Sequence, residues 1–153
     1  MGETEIGRIK NMLKELPFFE DFTDDNLEYF SKQLSLRSVP SDTIIFNEGD
    51  IGDYLFFILD GAVDVRLDSS PTKKIVASFG RGSCVGDMAL IDDYPRSATV
   101  IMTENSEILI LTKARFAKIN RDNPDVANKL LMGIAKNLSI RLRSQTGRFA
   151  DLA

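Results

Sequence analysis

The spacing of hydrophobic positions along the 153-residue chain changes twice. Over residues 1–36 it follows a helical period, and Pro17 and Thr23 mark the end of one predicted helix and the N-cap of the next. Over residues 37–112 short apolar runs alternate with turn residues about every 8–12 positions, as in an antiparallel sandwich or barrel. Over residues 113–147 the helical period returns. This order predicts a single α+β domain, helices before and after a core of seven or eight strands.

The clearest individual patterns lie in the middle and near the end of the chain. Val63 and Val65 alternate with polar neighbours, which predicts a strand with one buried face. Asn123 and Pro124 combine an N-cap with a proline at the first helical position, which predicts the start of a long helix. Gly147 predicts its end. The apolar positions of this helix recur every four residues, at Val126, Leu130, Ile134, Leu138 and Leu142.

The composition removes several classes of function. The chain has one cysteine, Cys84, and no histidine. An internal disulfide, a Ser–His or Cys–His nucleophile pair and a histidine-ligated metal site are therefore excluded. Cys84 is expected to be a buried small hydrophobe rather than a reactive thiol. We expect no enzymatic activity, no resident cofactor and no metal.

Charge and hydropathy limit the classes of partner that the chain is expected to bind. A formal net charge of −4 disfavours non-specific binding to nucleic acid, although it permits a small anion in one local pocket. No apolar run approaches the ~18 residues of a membrane span, and the N-terminus does not have the pattern of a signal peptide. We therefore expect a cytoplasmic protein that contacts neither membrane nor DNA directly.

Residues 85–99 differ from the other turns between strands. Gly86 can adopt the backbone conformation of a tight entry into about one turn of helix. The exposed N–H groups at the start of this turn, near Met88 and Ala89, form a site for an anion. Arg96 then starts a strand with a guanidinium available for a phosphate, followed by a hydroxyl at the next position. The segment therefore predicts a small phosphate-binding site.

This segment resembles the phosphate-binding cassette of cyclic nucleotide-binding domains, which occur in catabolite-activator-type regulators, cyclic-nucleotide-dependent kinases and gated channels. The family's cassette reads Phe-Gly-Glu-aliphatic-Ala-Leu, then about four variable residues, then Pro-Arg and small residues. Here Val85–Leu90 reads VGDMAL and 95–99 reads PRSAT. The resemblance spans about residues 15–145 and implies an eight-stranded antiparallel jelly-roll barrel, flanked by N-terminal helices and a long C-terminal helix.

The resemblance also implies a ligand, cyclic AMP or cyclic GMP, and residues that hold its phosphate. Arg96 would pair with the phosphate, the amides of Met88 and Ala89 would cradle it, and Ser97 would donate a hydroxyl. An alternative role for Arg96 is a purely structural ion pair with one of three nearby acids, Asp87, Asp92 or Asp93.

The sugar and base would be held by other positions. Gly86 and Asp87 would bind the ribose 2′-hydroxyl through a carbonyl and a carboxylate. Arg141, on the long helix that would close over the base and carry the signal, is the expected base contact. The expected walls of the sugar and base pocket are Val65, Val76 and Val85.

Two departures from the family pattern support a second hypothesis. Asp87 replaces the family's Glu, which withdraws the carboxylate by about 1.5 Å and costs ~1–3 kcal/mol of binding free energy. Val85 replaces the aromatic residue before the glycine. A protein with a degenerate pocket would instead act in protein interaction or as a homodimer through the helix at 124–146. A metal-dependent enzyme on a cupin-type barrel is disfavoured because such barrels use histidine ligands. Under either hypothesis, the protein effector is unknown.

Overall fold

A computed structural model describes the backbone of residues 3–152 and the side chains of residues 5–145. Over these residues the chain runs from helices to strands and back to helices, as predicted. The α-helices are α1 (Glu3–Lys14), α2 (Asp24–Ser31), α3 (Lys113–Asp122) and α4 (Pro124–Leu152). The strands are β1 (Ser35–Val39), β2 (Ile44–Phe46), β3 (Tyr54–Asp60), β4 (Ala62–Leu67), β5 (Lys74–Gly80), β6 (Cys84–Val85), β7 (Thr99–Met102) and β8 (Ser106–Thr112).

The strands form two four-stranded sheets, in the orders β1-β8-β3-β6 and β2-β7-β4-β5. Every pairing between these strands is antiparallel. The predicted eight-stranded antiparallel jelly roll with flanking helices is thereby confirmed. The first strand begins at Ser35, slightly before the predicted start of the barrel at residue 37, so Leu36 belongs to β1 and not to the preceding helix.

The N-terminal helices are anchored by a cap and by aromatic packing. Thr23 accepts a hydrogen bond from the amide of Asn26 at 3.1 Å, and the Asn26 side chain accepts one from the amide of Thr23 at 3.0 Å. This capping box confirms Thr23 as the N-cap of α2. The ring of Phe19 lies 5.0 Å from those of Phe22 and Phe57, so the segment between α1 and α2 packs directly on β3.

Helix α4 begins as predicted but ends later. Asn123 accepts a hydrogen bond from the amide of Val126 at 3.3 Å, which caps the helix. The helix then continues past Gly147 to Leu152, so the prediction that Gly147 ends it is wrong. A single glycine inside a helix costs only about 1 kcal/mol relative to alanine, and neighbouring residues outweigh it. The apolar stripe is largely buried: Val126, Leu130 and Ile134 are fully buried within the chain's own core.

A close contact sets the position of α4 against the N-terminal segment. A Cβ added at Gly133 would lie 2.6 Å from the ring of Phe18. Only a residue without a side chain therefore lets the helix approach the ring this closely. The contact connects the middle of α4 to the turn between α1 and α2.

Within the described part of the chain, no helix is long and apolar enough to cross a membrane. The same residues contain no group of three or more cysteine and carboxylate side chains placed to hold a metal ion. The free thiol of Cys84 is buried, and that burial raises its pKa well above the ordinary value. Such a thiol is protonated and unreactive at neutral pH, in agreement with its interpretation as a packing residue.

Candidate nucleotide-binding site

A cavity of about 380 Å³ opens between the sheet that contains β4, β5 and β7 and the segment at 85–99. The structure brings nine of the ten predicted site residues to this cavity. They are Val65, Val85, Gly86, Asp87, Met88, Ala89, Arg96, Ser97 and Arg141.

Val76 is the exception, because it does not line the cavity. In the β4–β5 pairing Val65 stands opposite Ala77, and residues opposite each other in a sheet share a face. The register shifts next to this pair, with Arg66 opposite Ile75, so Val76 has no partner of its own in β4, and its side chain is exposed. Ala77 and Phe79 form this wall instead. The alternation of apolar residues along β5 indicates the correct pair.

The cassette turn depends on the backbone conformation of Gly86. Its φ of 79° is left-handed, and a Cβ there would lie 2.7 Å from Nη1 of Arg96 and 2.8 Å from the ring of Phe46. A 3-10 turn follows over Asp87–Leu90, as predicted. The amide of Ala89 donates to the Gly86 carbonyl at 3.2 Å, which is the first hydrogen bond of the turn. The amide of Met88 lies one residue before this bond.

Arg96 follows Pro95 in the last part of the cassette, and it lines the cavity. Its guanidinium donates to the carbonyl of Gly86 at 3.2 Å and to the carbonyl of Tyr54 at 2.6 Å. Its central carbon lies 3.5 Å from the centre of the Phe46 ring. Burial lowers the pKa of Arg96 from its ordinary value, partly opposed by Tyr54 and nearby carboxylates, but a guanidinium remains charged at any physiological pH.

Arg96 has no carboxylate partner among the described residues, whose ion pairs all involve other groups. The structural ion pair considered for Arg96, with Asp87, Asp92 or Asp93, is therefore not formed. A half-buried positive charge in a cavity is held here by neutral groups only, which leaves it available for an anion.

Asp87 and Arg141 line the same cavity and are in direct contact. Arg141 donates to Oδ1 of Asp87 at 3.2 Å and to the carbonyl of Cys84 at 3.1 Å. The Asp87 side chain is only 2% exposed, and its Oδ2 has no hydrogen-bond partner among the side chains and backbone that the structure describes. The pair connects α4 to the cassette. It leaves the second carboxylate oxygen of Asp87 buried without a hydrogen-bond donor from the described residues.

Sequence reasoning missed eight residues that line the cavity, among them Phe46, Ala77 and Phe79. Phe46 supports the guanidinium of Arg96, and Phe79 lies 5.4 Å from the central carbon of Arg141. Ala77 and Phe79 could have been found from the alternation of β5. Nothing local identifies Phe46, because its contact with Arg96 joins positions 50 residues apart.

Comparison with known proteins agrees with this geometry. The family model for the cyclic nucleotide-binding domain matches residues 36–123. A cyclic nucleotide-gated potassium channel of Rhizobium etli is 30% identical over 119 residues, which cover 78% of this chain and 32% of the channel. The cyclic AMP receptor protein of Thermus thermophilus is 28% identical over 127 residues, which cover 82% of this chain and 59% of the receptor.

A solved cyclic nucleotide-binding domain from Methylobacillus flagellatus superposes with a TM-score of 0.82 at 28% identity, covering 98% of this chain and 85% of that chain. The curated relatives are longer, and this chain spans roughly a third to three-fifths of their length. Every residue that lines the cavity, except Arg141, lies within the matched segment. The chain belongs to the cyclic nucleotide-binding domain family.

Proposed function

We propose that this chain is a regulatory module whose cavity binds a cyclic nucleotide, cyclic AMP or cyclic GMP. The observation that carries the proposal is the unpaired charge of Arg96 inside a cavity of about 380 Å³. Relatives named as a cyclic AMP receptor and as a cyclic nucleotide-gated channel support the same ligand class.

The phosphate binds at Arg96 in this proposal. A guanidinium has five N–H donors, and two of those of Arg96 are used by the carbonyls of Gly86 and Tyr54. Met88, Ala89 and Ser97 line the same cavity as Arg96, and in this proposal their amides and hydroxyl join the remaining guanidinium donors at the phosphate. To bind the phosphate, Ala89 exchanges its present bond to Gly86 for one to the ligand.

The ribose binds at Asp87. Its Oδ2 is buried and unpaired, so a 2′-hydroxyl that donates to it completes the hydrogen bonding of the site. The shorter side chain of aspartate reaches Arg141 through Oδ1, which leaves the buried Oδ2 as the oxygen for the ribose in this proposal. The pocket is therefore not degenerate in its polar groups, which argues against the second hypothesis.

The signal passes through Arg141 and α4. Arg141 is the only described residue of α4 that lines the cavity, and it holds the cassette through Asp87 and the Cys84 carbonyl. A ligand that changes the position of Asp87 or contacts Arg141 favours one position of α4 over another. An effector protein would then recognise that position.

A second copy of this chain is the proposed partner of α4. The positions Val126, Leu130 and Ile134 are buried within the chain and cannot form a seam between copies. Leu131 and Met132 remain 37% and 53% exposed on the same helix. A homodimer through residues 124–146 would use this other face. Light scattering of the wild type and of Met132→Asp tests it: equal, monomeric masses would overturn it.

Calorimetric titration with cyclic AMP and cyclic GMP tests the ligand. We expect micromolar or tighter binding of one of them, and loss of that binding in Arg96→Ala. 5′-AMP and 5′-GMP serve as open-phosphate controls. The absence of binding in a folded wild-type sample would overturn the proposal and support a protein-interaction module.

A further inference from the structure

The backbone of Arg96 is held by the segment between β2 and β3. We call residues 47–53 the arginine clasp. The amide of Gly49 donates to the Arg96 carbonyl at 2.8 Å, and the amide of Arg96 donates to the Asp50 carbonyl at 2.7 Å. A Cβ added at Gly52 would overlap the guanidinium itself. The position of the charge in the cavity therefore depends on the position of the clasp.

Glu48 fastens the clasp to the β4–β5 hairpin. Its Oε1 accepts from the Ser69 hydroxyl at 2.7 Å, and its Oε2 accepts from the Ser69 amide at 2.9 Å. Both oxygens of the carboxylate are thus used by one residue of the hairpin. These hydrogen bonds lower the pKa of Glu48, so its ionised form is the one that holds the hairpin.

A second bond joins Glu48 to β7. The amide of Glu48 donates to Oγ1 of Thr99 at 2.9 Å, and that hydroxyl donates to Asp68 at 2.8 Å. Arg66 donates to the same carboxylate at 2.6 Å. Thr99 is fully buried, so its hydroxyl is held in one arrangement by its two partners.

Glu48, Ser69, Asp68, Arg66 and Thr99 form a polar cluster that lies behind the cavity wall and does not line the cavity. Arg66 stands opposite Thr99 in the β4–β7 pairing, and Val65 stands opposite Val100. The two valines line the cavity, so the next pair along the strands faces the other side of the sheet. Glu48, Ser69, Arg66 and Thr99 are not among the lining residues.

We propose that Glu48 is a positioning residue for phosphate recognition: through Ser69 and Thr99 it fixes the clasp that places Arg96. This inference rests on the proposed function, since it concerns the affinity of the same site. It differs from a general role in stability because the clasp would act on the phosphate alone, by way of Arg96. The base and ribose ends of the cavity lie on other elements.

The test compares Glu48→Ala, Glu48→Gln and Ser69→Ala with the control Glu15→Ala, whose carboxylate pairs with Arg81 on the surface. Titrations use the cyclic nucleotide that binds the wild type and the corresponding nucleoside, which lacks the phosphate. We expect Glu48→Ala to lose about tenfold in affinity for the cyclic nucleotide and Ser69→Ala, which keeps the amide bond to Glu48, to lose less, with nucleoside affinity unchanged in both. Glu48→Gln, which keeps one acceptor, loses less.

The double variant Glu48→Ala with Ser69→Ala is expected to lose no more than Glu48→Ala alone, because that change already removes both bonds to Ser69. Equal losses for nucleotide and nucleoside, or no loss beyond that of Glu15→Ala, would overturn the inference. The ¹⁵N chemical shift of Arg96 Nε, measured without ligand, distinguishes failure of this inference from failure of the proposed function. It should change in Glu48→Ala but not in Glu15→Ala even if no nucleotide binds, and an unchanged shift would also overturn the inference.

Discussion

Two arginines reach the same cavity, and their surroundings differ. Within the described residues, Arg96 donates only to backbone carbonyls, and it packs on the ring of Phe46. Arg141 donates to the buried carboxylate of Asp87 and to a carbonyl. The charge of Arg141 is therefore already neutralised within the chain, whereas the charge of Arg96 is not. Burying half of a charge without a counter-ion costs solvation free energy, and a bound anion offsets this cost.

This difference assigns the two side chains to different tasks. Arg96 contributes to ligand binding, and its removal should leave the folded chain intact. Arg141 contributes to the integrity of the ligand-free state by compensating Asp87. Substitutions at each of the two positions test this division.

Arg96→Ala is expected to lower affinity for cyclic nucleotide by roughly 100- to 1,000-fold, since two charge-assisted hydrogen bonds to the phosphate disappear. Its urea midpoint should stay close to that of the wild type. Calorimetry and urea unfolding measure the two quantities, with the exposed Arg121→Ala as the matched control. If Arg96→Ala unfolds the chain instead, the two arginines do not differ as described.

Arg141→Ala should lower the free energy of unfolding by about 2 kcal/mol, because it leaves the buried carboxylate of Asp87 without its partner. Asp87→Asn in the same chain removes the uncompensated charge and should restore part of that loss. Urea unfolding of both single variants and of the double variant gives the coupling between the two positions. Strictly additive losses would show that the pair contributes nothing.

The unpaired oxygen of Asp87 predicts a preference for ribose over deoxyribose. The wild type should bind the cyclic nucleotide about tenfold more tightly than its 2′-deoxy analogue. In Asp87→Asn this ratio should fall towards one, whatever happens to the absolute affinity. Competition titration of the two ligands measures the ratio, and a ratio near one in the wild type would remove Asp87 from ribose recognition.

The smallest expected effect comes from an exposed ion pair that serves as a reference for the buried one. Asp24 contacts Lys14 at 2.7 Å and Lys10 at 2.9 Å, and these hydrogen bonds lower its pKa to about 2. A depressed pKa stabilises the fold above the ordinary carboxyl value of 3.8 and loses that effect as the pH falls towards 2.

Asp24→Asn should therefore shift the melting temperature only slightly at pH 7, and the difference from the wild type should disappear between pH 4 and pH 2. Thermal melts across that range measure it. A shift at pH 7 as large as that of Arg141→Ala would remove the distinction between exposed and buried pairs.

The order of elements and the cassette were predictable because they depend on local signals. The N-caps at Thr23 and Asn123 act within three residues of themselves. The left-handed turn at Gly86 likewise needs only its own backbone. Such signals are present in any short window of the sequence, and the family pattern around Arg96 combines several of them.

Partners distant in the sequence were not predictable in the same way. Ser69 reaches Glu48 across 21 residues and Arg141 reaches Asp87 across 54, and neither pair leaves a pattern in the residue types. Val76 was expected in the pocket because of the family resemblance, whereas strand alternation places Ala77 there. Gly147 shows the converse case, in which a local signal for a helix end is outweighed by the neighbouring residues.

The length of α4 has a mechanical consequence. Its 29 residues form one unbroken rod that, at about 1.5 Å per residue, is ~43 Å long. If the rod pivots near its capped end by ~10°, Arg141 moves by about 4 Å and the far end by about 7 Å. The first displacement exceeds the length of the 3.2 Å bond to Asp87. A small rotation at one end of the helix thus breaks its contact with the cassette and produces a larger, easily detected motion at the other end.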